Sequence, residues 1–288
     1  IIPLGYSVAN LSMTGEIEFE YPLKKSSQNL VLIPYVSGSG IRNKVSLPKR
    51  DFNFDAGLDF KMALSSSLNL DLTFNPDFSQ VEVDEQRTNL TRFELFLPEK
   101  REFFTDNADL FSNLGSRESR PMFTRRIGIA RDSTTSQYVQ NPIIYGAKLS
   151  GKLSEDLRIG VLNMQTSKLS NSGIPSYNYG MAVLEKNVLK NSSISSFIIN
   201  KQSLFNDESK DYAHELDEFN RVIGFESKLQ SNNTRFISQL YYHQSLEKDN
   251  KANSNSYGIN ASYEKRTYET NISVSYTHLR AHETPRDL

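Results

Sequence analysis

A chain of 288 residues with 37% hydrophobic residues and a mean hydropathy of -0.52 has no run of about 20 apolar residues, so a membrane-crossing helix is excluded. Its 33 basic and 34 acidic residues nearly cancel, leaving no positive excess to hold a phosphate backbone, and nucleic acid is not an expected partner. The absence of cysteine removes disulfides, thiolate nucleophiles and Cys-bound zinc, while low hydropathy is neutral toward a membrane β-barrel, where only alternate residues face lipid.

The opening "IIPLGYSVAN" has neither an initiator Met nor a signal-peptide pattern, so the chain reads as an internal piece, with residues 1–28 a periplasmic lead-in. A first strand starts at Asn29 in "NLVLIPYVSG". Period two is clearest in "FNFDAGLDFKMAL" and, after the turn "SSS", in "LNLDLTFN". The two runs predict an antiparallel hairpin. One face carries Phe52, Phe54, Leu58, Phe60, Leu68, Leu70, Leu72 and Phe74, expected to meet lipid; the other carries Asp55, Asp59, Lys61 and Asp71, and substitution at Asp71 is expected to be mild.

Residues 75–111 then break the pattern, being dense in aromatic and acidic side chains without a clean strand or helix period. The next clear strand starts at Ile143, so residues 76–141 form one connection or hold an even number of extra strands. A link of that length is normally functional or folded in its own right. Phe78, Phe93, Phe96, Phe103, Phe104 and Phe111 gain by burial, which predicts a segment folded back into a barrel lumen; a compact extracellular cap is the other reading. Asp77, Glu82, Asp84, Arg92, Glu94, Glu99, Lys100, Arg101, Asp106 and Asp109 are the candidates for facing a polar lumen wall, and Glu99, Lys100, Arg101 and Glu102 are expected to find partners there, Asp55, Asp59 and Lys61 among them.

Four further hairpins follow: "PIIYGAKLSGKL" with "DLRIGVLNMQT", "YNYGMAVLEKN" with "SISSFIINKQ", "FNRVIGFESKLQ" with "TRFISQLYYHQS", and "SYGINASYEK" with "YETNISVS". Turns within hairpins are short and links between them long and polar, an alternation characteristic of outer-membrane barrels. The fold class expected is therefore all-β, an antiparallel transmembrane β-barrel of about eleven strands, partial because closed bacterial barrels have even strand numbers, with a long inserted loop. Tyrosines 35, 145, 177, 179, 212, 241, 242, 257, 263 and 268 cluster near strand ends, where aromatic girdles would sit. His214 and His243 fall at loop edges, in the manner of solvated histidines.

In the closing "VSYTHLRAHETPRDL", His278 and His282 lie four apart beside Glu283, the spacing of a zinc helix. The segment resembles a translated sequencing adapter, so residues 274–288 are set apart as an artefactual tail and the metal reading is set aside. Residues 29–273 form the partial barrel, with 76–141 as its insertion.

The blocks "NPDFSQVE", "FLPEKREFF", "PMFTRRIG" and "IYGAKLSGKLSEDLRIGVLN" resemble the domain of unknown function 5916 family of Bacteroidota. The resemblance implies an outer-membrane β-barrel, usually found behind a domain similar to carbohydrate-binding module family 9. That domain is missing here, so glycans would be partners only through it. The partner expected of this chain is the outer-membrane bilayer, and no cofactor or metal is expected.

Catalysis has thin support. Glu82, Asp84, Glu94 and Glu99 offer carboxylates for a glycosidase pair, but sequence does not supply their separation. Asp77, Glu82, Asp84 and Glu85 lack the spacing of a calcium loop. Ion pairing with Arg87, Arg92, Lys100, Arg101, Arg125 and Arg126 accounts for them more simply, and no catalytic residue is assigned. The expected function is an outer-membrane protein of transport, secretion or surface assembly; the alternative is a membrane-associated glycan hydrolase or carbohydrate-binding outer-membrane protein.

Overall fold

The computed structural model describes residues 20–21, 29–42, 50–76, 99–116, 119–132, 138–170, 173–204, 219–247, 254–265 and 267–277. The strands are β1 (Leu30–Arg42), β2 (Arg50–Ala63), β3 (Leu68–Phe74), β4 (Ile129–Arg131), β5 (Tyr138–Gln140), β6 (Ile143–Lys152), β7 (Leu157–Thr166), β8 (Ser176–Val188), β9 (Ser192–Leu204), β10 (Phe219–Gln230), β11 (Phe236–Glu247), β12 (Ser254–Lys265) and β13 (Tyr268–Thr277). Two single-turn helices, α1 (Glu102–Thr105) and α2 (Asp109–Ser112), lie between β3 and β4.

Eleven of these strands form one antiparallel sheet in the order β1-β2-β3-β6-β7-β8-β9-β10-β11-β12-β13. Each predicted hairpin is present, and each strand pairs with its neighbour along the chain except where the insertion intervenes between β3 and β6. Among the described residues the insertion contributes a separate two-stranded ribbon, β4 with β5. β1 and β13 are the edges of the sheet and are not paired with each other, so among the described residues the sheet is open; a closed barrel is not seen.

Alternation assigns each strand of the sheet an inner face and an outer face, and between β2 and β12 the inner one meets the insertion. The register carries this around the sheet: Asp71 lies between Lys61 and Lys148, and Leu72 between Phe60 and Ala147. Outer positions are apolar yet open. Phe52, Phe54 and Phe74 are exposed, while Leu58, Phe60, Leu68, Leu70 and Leu72 are half-buried. The same outer row continues through Val161, Leu184, Ile198, Ile223, Phe225, Leu240, Tyr242, Tyr257, Ile259, Val274 and Tyr276, all exposed. Residues 274–277, set apart in the sequence as tail, continue β13 in register with β12.

The core lies on the other side. Leu162 and Met164 of β7, Met181 and Val183 of β8, Phe197 and Ile199 of β9, and Val222 of β10 bury their side chains against Phe103, Phe104, Leu110, Phe111 and Leu114 of the insertion. The wall facing these aromatics is thus apolar over four strands, contrary to the uniformly polar lumen expected from β2 and β3. In those two strands alternation contrasts charge with apolar groups. In β7 to β10 both faces carry aliphatic residues, so the pattern does not say which row is covered.

Candidate functional site: a segment laid across the inner face

The insertion is bound to the inner face at successive points from β2 to β12. At one end Lys61 of β2 donates to Glu102 at 2.8 Å and to Asp106 at 3.1 Å. Beside it, Lys148 of β6 is 1% exposed and donates to the carbonyls of Phe103 (2.5 Å) and Asp106 (3.2 Å), facing Asp71 of β3 at 3.2 Å. One ammonium therefore collects carbonyls from the end of α1 while its charge is matched by a carboxylate on the wall. Thr73 donates to Asp59 at 2.5 Å.

The middle is held by Arg158 of β7, which donates to Asp109 of α2 (2.7 Å) and to Glu185 of β8 (2.9 Å). The Arg158 hydrogen bond holds the Asp109 carboxyl below its usual range, against a smaller opposing effect of burial. Close approach is made possible by Gly160, since a Cβ there would stand 2.9 Å from the Phe111 ring.

At the far end Glu226 of β10 and His243 of β11, each 1% exposed, meet the chain where it turns at Gly115. The Gly115 amide donates to Glu226 Oε1 at 2.6 Å, and His243 Nε2 lies 3.0 Å from the same oxygen. Gln239 donates to the Gly115 carbonyl at 2.9 Å and to Glu226 Oε2 at 3.3 Å. Gly115 has φ +74, a left-handed conformation that favours glycine. Beyond it Ser119 and Ser256 of β12 share a buried hydroxyl contact of 2.6 Å.

Within the insertion, Glu99 and Arg101 form their own unit. Arg101 is 6% exposed, donates to both Glu99 oxygens and reaches the carbonyls of Ile127 (2.8 Å) and Thr124 (2.6 Å). Burial pushes the Glu99 carboxyl upward, but Arg101, Thr124 and local amides together hold it below its usual range. The Arg101 guanidinium also stacks 4.2 Å from the Phe104 ring centroid. Such a locked, paired carboxylate is a fastening and is ill suited to proton transfer.

Of the candidate residues, Asp106 and Asp109 thus meet the wall, Glu99 and Arg101 meet each other, and Lys100 is exposed. Asp77, Glu82, Asp84, Arg92 and Glu94 lie outside the described residues, as do His214, His278, His282 and Tyr212. Lys61 meets the insertion as expected, Asp59 accepts instead from Thr73 of the wall, and Asp55 is exposed. Three readings are corrected. His243 is buried in mid-strand; Asp71 is 3% exposed and paired, so substitution there is not mild; and the inner tyrosines leave the girdle. Tyr177 and Tyr241 are buried on the inner face, Tyr241 reaching Ser116, and Tyr35 donates to the Asn75 carbonyl.

Lys148, Arg158, Glu226 and His243 went unrecognised in the sequence. The available signal was their register, each being a long polar side chain on the row that Asp71 and Lys61 define as inward.

No curated protein matches the chain. A family described as a domain of unknown function (DUF5916) matches residues 27–284. With most of the chain matched, from before β1 to beyond β13, the protein belongs to the DUF5916 family.

Proposed function

We propose that the chain forms the wall of an outer-membrane β-barrel whose lumen is occupied by the segment between β3 and β6, and that the protein serves transport, secretion or surface assembly. The observation that carries this reading is the inverted distribution of side chains. Phenylalanines and aliphatic residues stand exposed along the outer face, while Lys148, Glu226 and His243 are about 1% exposed on the inner one. In water such a continuous exposed apolar row has no stabilising neighbour, and contiguous apolar surface of this kind marks a contact with another apolar phase or partner. In lipid the same row is satisfied, and the ten- to fourteen-residue strands β1, β2 and β6 to β13 are long enough to cross the hydrocarbon layer at a tilt. A groove of about 410 Å³ lined by Phe225, Leu240, Tyr257 and Tyr276 suits acyl chains in size and polarity.

The absence of cysteine makes the test clean. Phe225→Cys, Leu240→Cys and Asn260→Cys, labelled with an environment-sensitive dye in proteoliposomes, should respond differently to brominated lipid. Quenching at 225 and 240 but not at 260 is the expected result; equal quenching at all three would overturn the orientation.

A further inference from the structure

Across β7 to β10 the apolar outer face gives way abruptly to amides. One hydrogen-bonded line of the sheet runs through Val161, Ala182, Ile198 and Ile223. The next line on the same face runs through Asn163, Gly180, Asn200 and Arg221, and beyond it Asn178 stands opposite Gln202. These polar positions fall at the ends of β7 and β9 and the starts of β8 and β10, beside the links 167–175 and 205–218. In outer-membrane barrels the longer links lie on the cell exterior. An amide facing hydrocarbon is costly, so on a lipid-facing surface these lines stand at the depth of lipid headgroups.

Arg221 is exposed, yet its guanidinium is held in place. Nε donates to Asn200 Oδ1 at 3.0 Å, Nη2 donates to Gln202 Oε1 at 3.3 Å, and the guanidinium carbon lies 4.5 Å from the Phe219 ring centroid. Both acceptors are neutral, so they orient the cation without cancelling its charge. These bonds use two of the five guanidinium donors, and among the described residues the two on Nη1 and one on Nη2 have no protein acceptor. A planar fork of this kind matches the oxygens of a phosphate. Beside it, Asn163 and Asn178 bond each other at 3.0 Å, and their half-buried amides suit sugar hydroxyls. Immediately below, Leu184, Ile198 and Ile223 are exposed. Cation, amides and aliphatic strip thus follow one another down a single face.

We propose that this collar binds the headgroup of a phosphorylated glycolipid. The Arg221 fork takes the phosphate, Asn163, Asn178 and Asn200 bond the sugar hydroxyls, and the acyl chains lie along Ile223, Ile198 and Leu184. The placement of the acyl chains rests on the lipid-facing reading of the outer row; the headgroup contacts do not.

The test is native mass spectrometry of the full chain in detergent, with three lipids offered at equal concentration. Monophosphoryl lipid A carries phosphate and sugar, phosphatidylglycerol phosphate without sugar, and a neutral galactolipid sugar without phosphate. Lipid A should be retained about tenfold over either of the others. Arg221→Gln should weaken its retention about tenfold, the loss of one charge-assisted hydrogen bond, whereas Lys228→Gln, a change on the inner face, should leave it as it was. Retention of phosphatidylglycerol or galactolipid equal to that of lipid A, unchanged retention in Arg221→Gln, or an equal loss in Lys228→Gln would each overturn the proposal. Brominated-lipid quenching at 225 and 240 separates the two readings. Selective lipid A retention without that quenching leaves the headgroup site standing and removes the bilayer wall, whereas quenching without selectivity does the reverse.

Discussion

At the scale of single residues, two lysines of the inner face, one on either side of Asp71, show how burial decides what an ion pair is worth. Lys61 meets Glu102 with side chains 27% and 73% exposed, and such a pair contributes about 0–1 kcal/mol. Lys148 meets Asp71 with side chains 1% and 4% exposed, and removing one member leaves the other charged and dry. Lys148→Met should therefore cost about 3–5 kcal/mol, and Lys61→Met less than about 1 kcal/mol, read from urea unfolding in detergent. Equal costs would show that Lys148 is wetter than its burial indicates. The chemistry of Lys148 was not legible in "IYGAKLSGKL", because nothing in that run names the carbonyls of Phe103 and Asp106 as its acceptors. Glycine carries a related constraint. A Cβ at Gly224 would lie 2.1 Å from the Phe197 ring, so Gly224→Ala should destabilise by about 1–3 kcal/mol through overpacking.

At the scale of elements, the hairpins were legible because alternation and turn length are local properties, and the observed short links at 64–67, 153–156 and 189–191 are where the turns were read. The insertion was legible in length and aromatic content but not in its docking. Its partners lie up to 137 positions away, as with Ser119 and Ser256, and no local period encodes them. Its fastening should respond to acid. Glu99 and Asp109 are held below their ordinary values of 4.5 and 3.8, so the folded state favours their charged forms. Their contribution is complete above those ordinary values and is lost as pH falls through the lowered ones. Amides of Phe104 and Phe111 should keep their hydrogen-exchange protection from neutral pH down to about 4.5 and lose it below, after correction for intrinsic exchange. Protection lost instead between pH 5 and 7 would assign the fastening to another group.

At the scale of the whole molecule, the wall and the insertion stabilise each other. If residues 99–132 are removed, Leu162, Met164, Met181, Val183, Phe197, Ile199 and Val222 lose their cover, each forfeiting up to about 1.5–3 kcal/mol of burial. The deletion should raise conductance in a bilayer and lower the urea midpoint together. Raised conductance with an unchanged midpoint would mean that the insertion is only a stopper. On the outer face, Leu70→Arg should cost about 2–4 kcal/mol if it sits near the bilayer midplane.

The neighbour-to-neighbour strand order also has a kinetic consequence. Most of the sheet can zip hairpin by hairpin, each step closing a short loop, whereas the contact of Gly115 with Glu226 joins residues 111 apart and depends on strands made much later in the chain. Refolding into lipid should thus be biphasic: protection of β7 to β13 amides appears first, and protection of Gly115 lags behind until β10 and β11 have paired. A Glu226→Gln change, which weakens the late catch along with the contact to His243 of the wall, should speed unfolding.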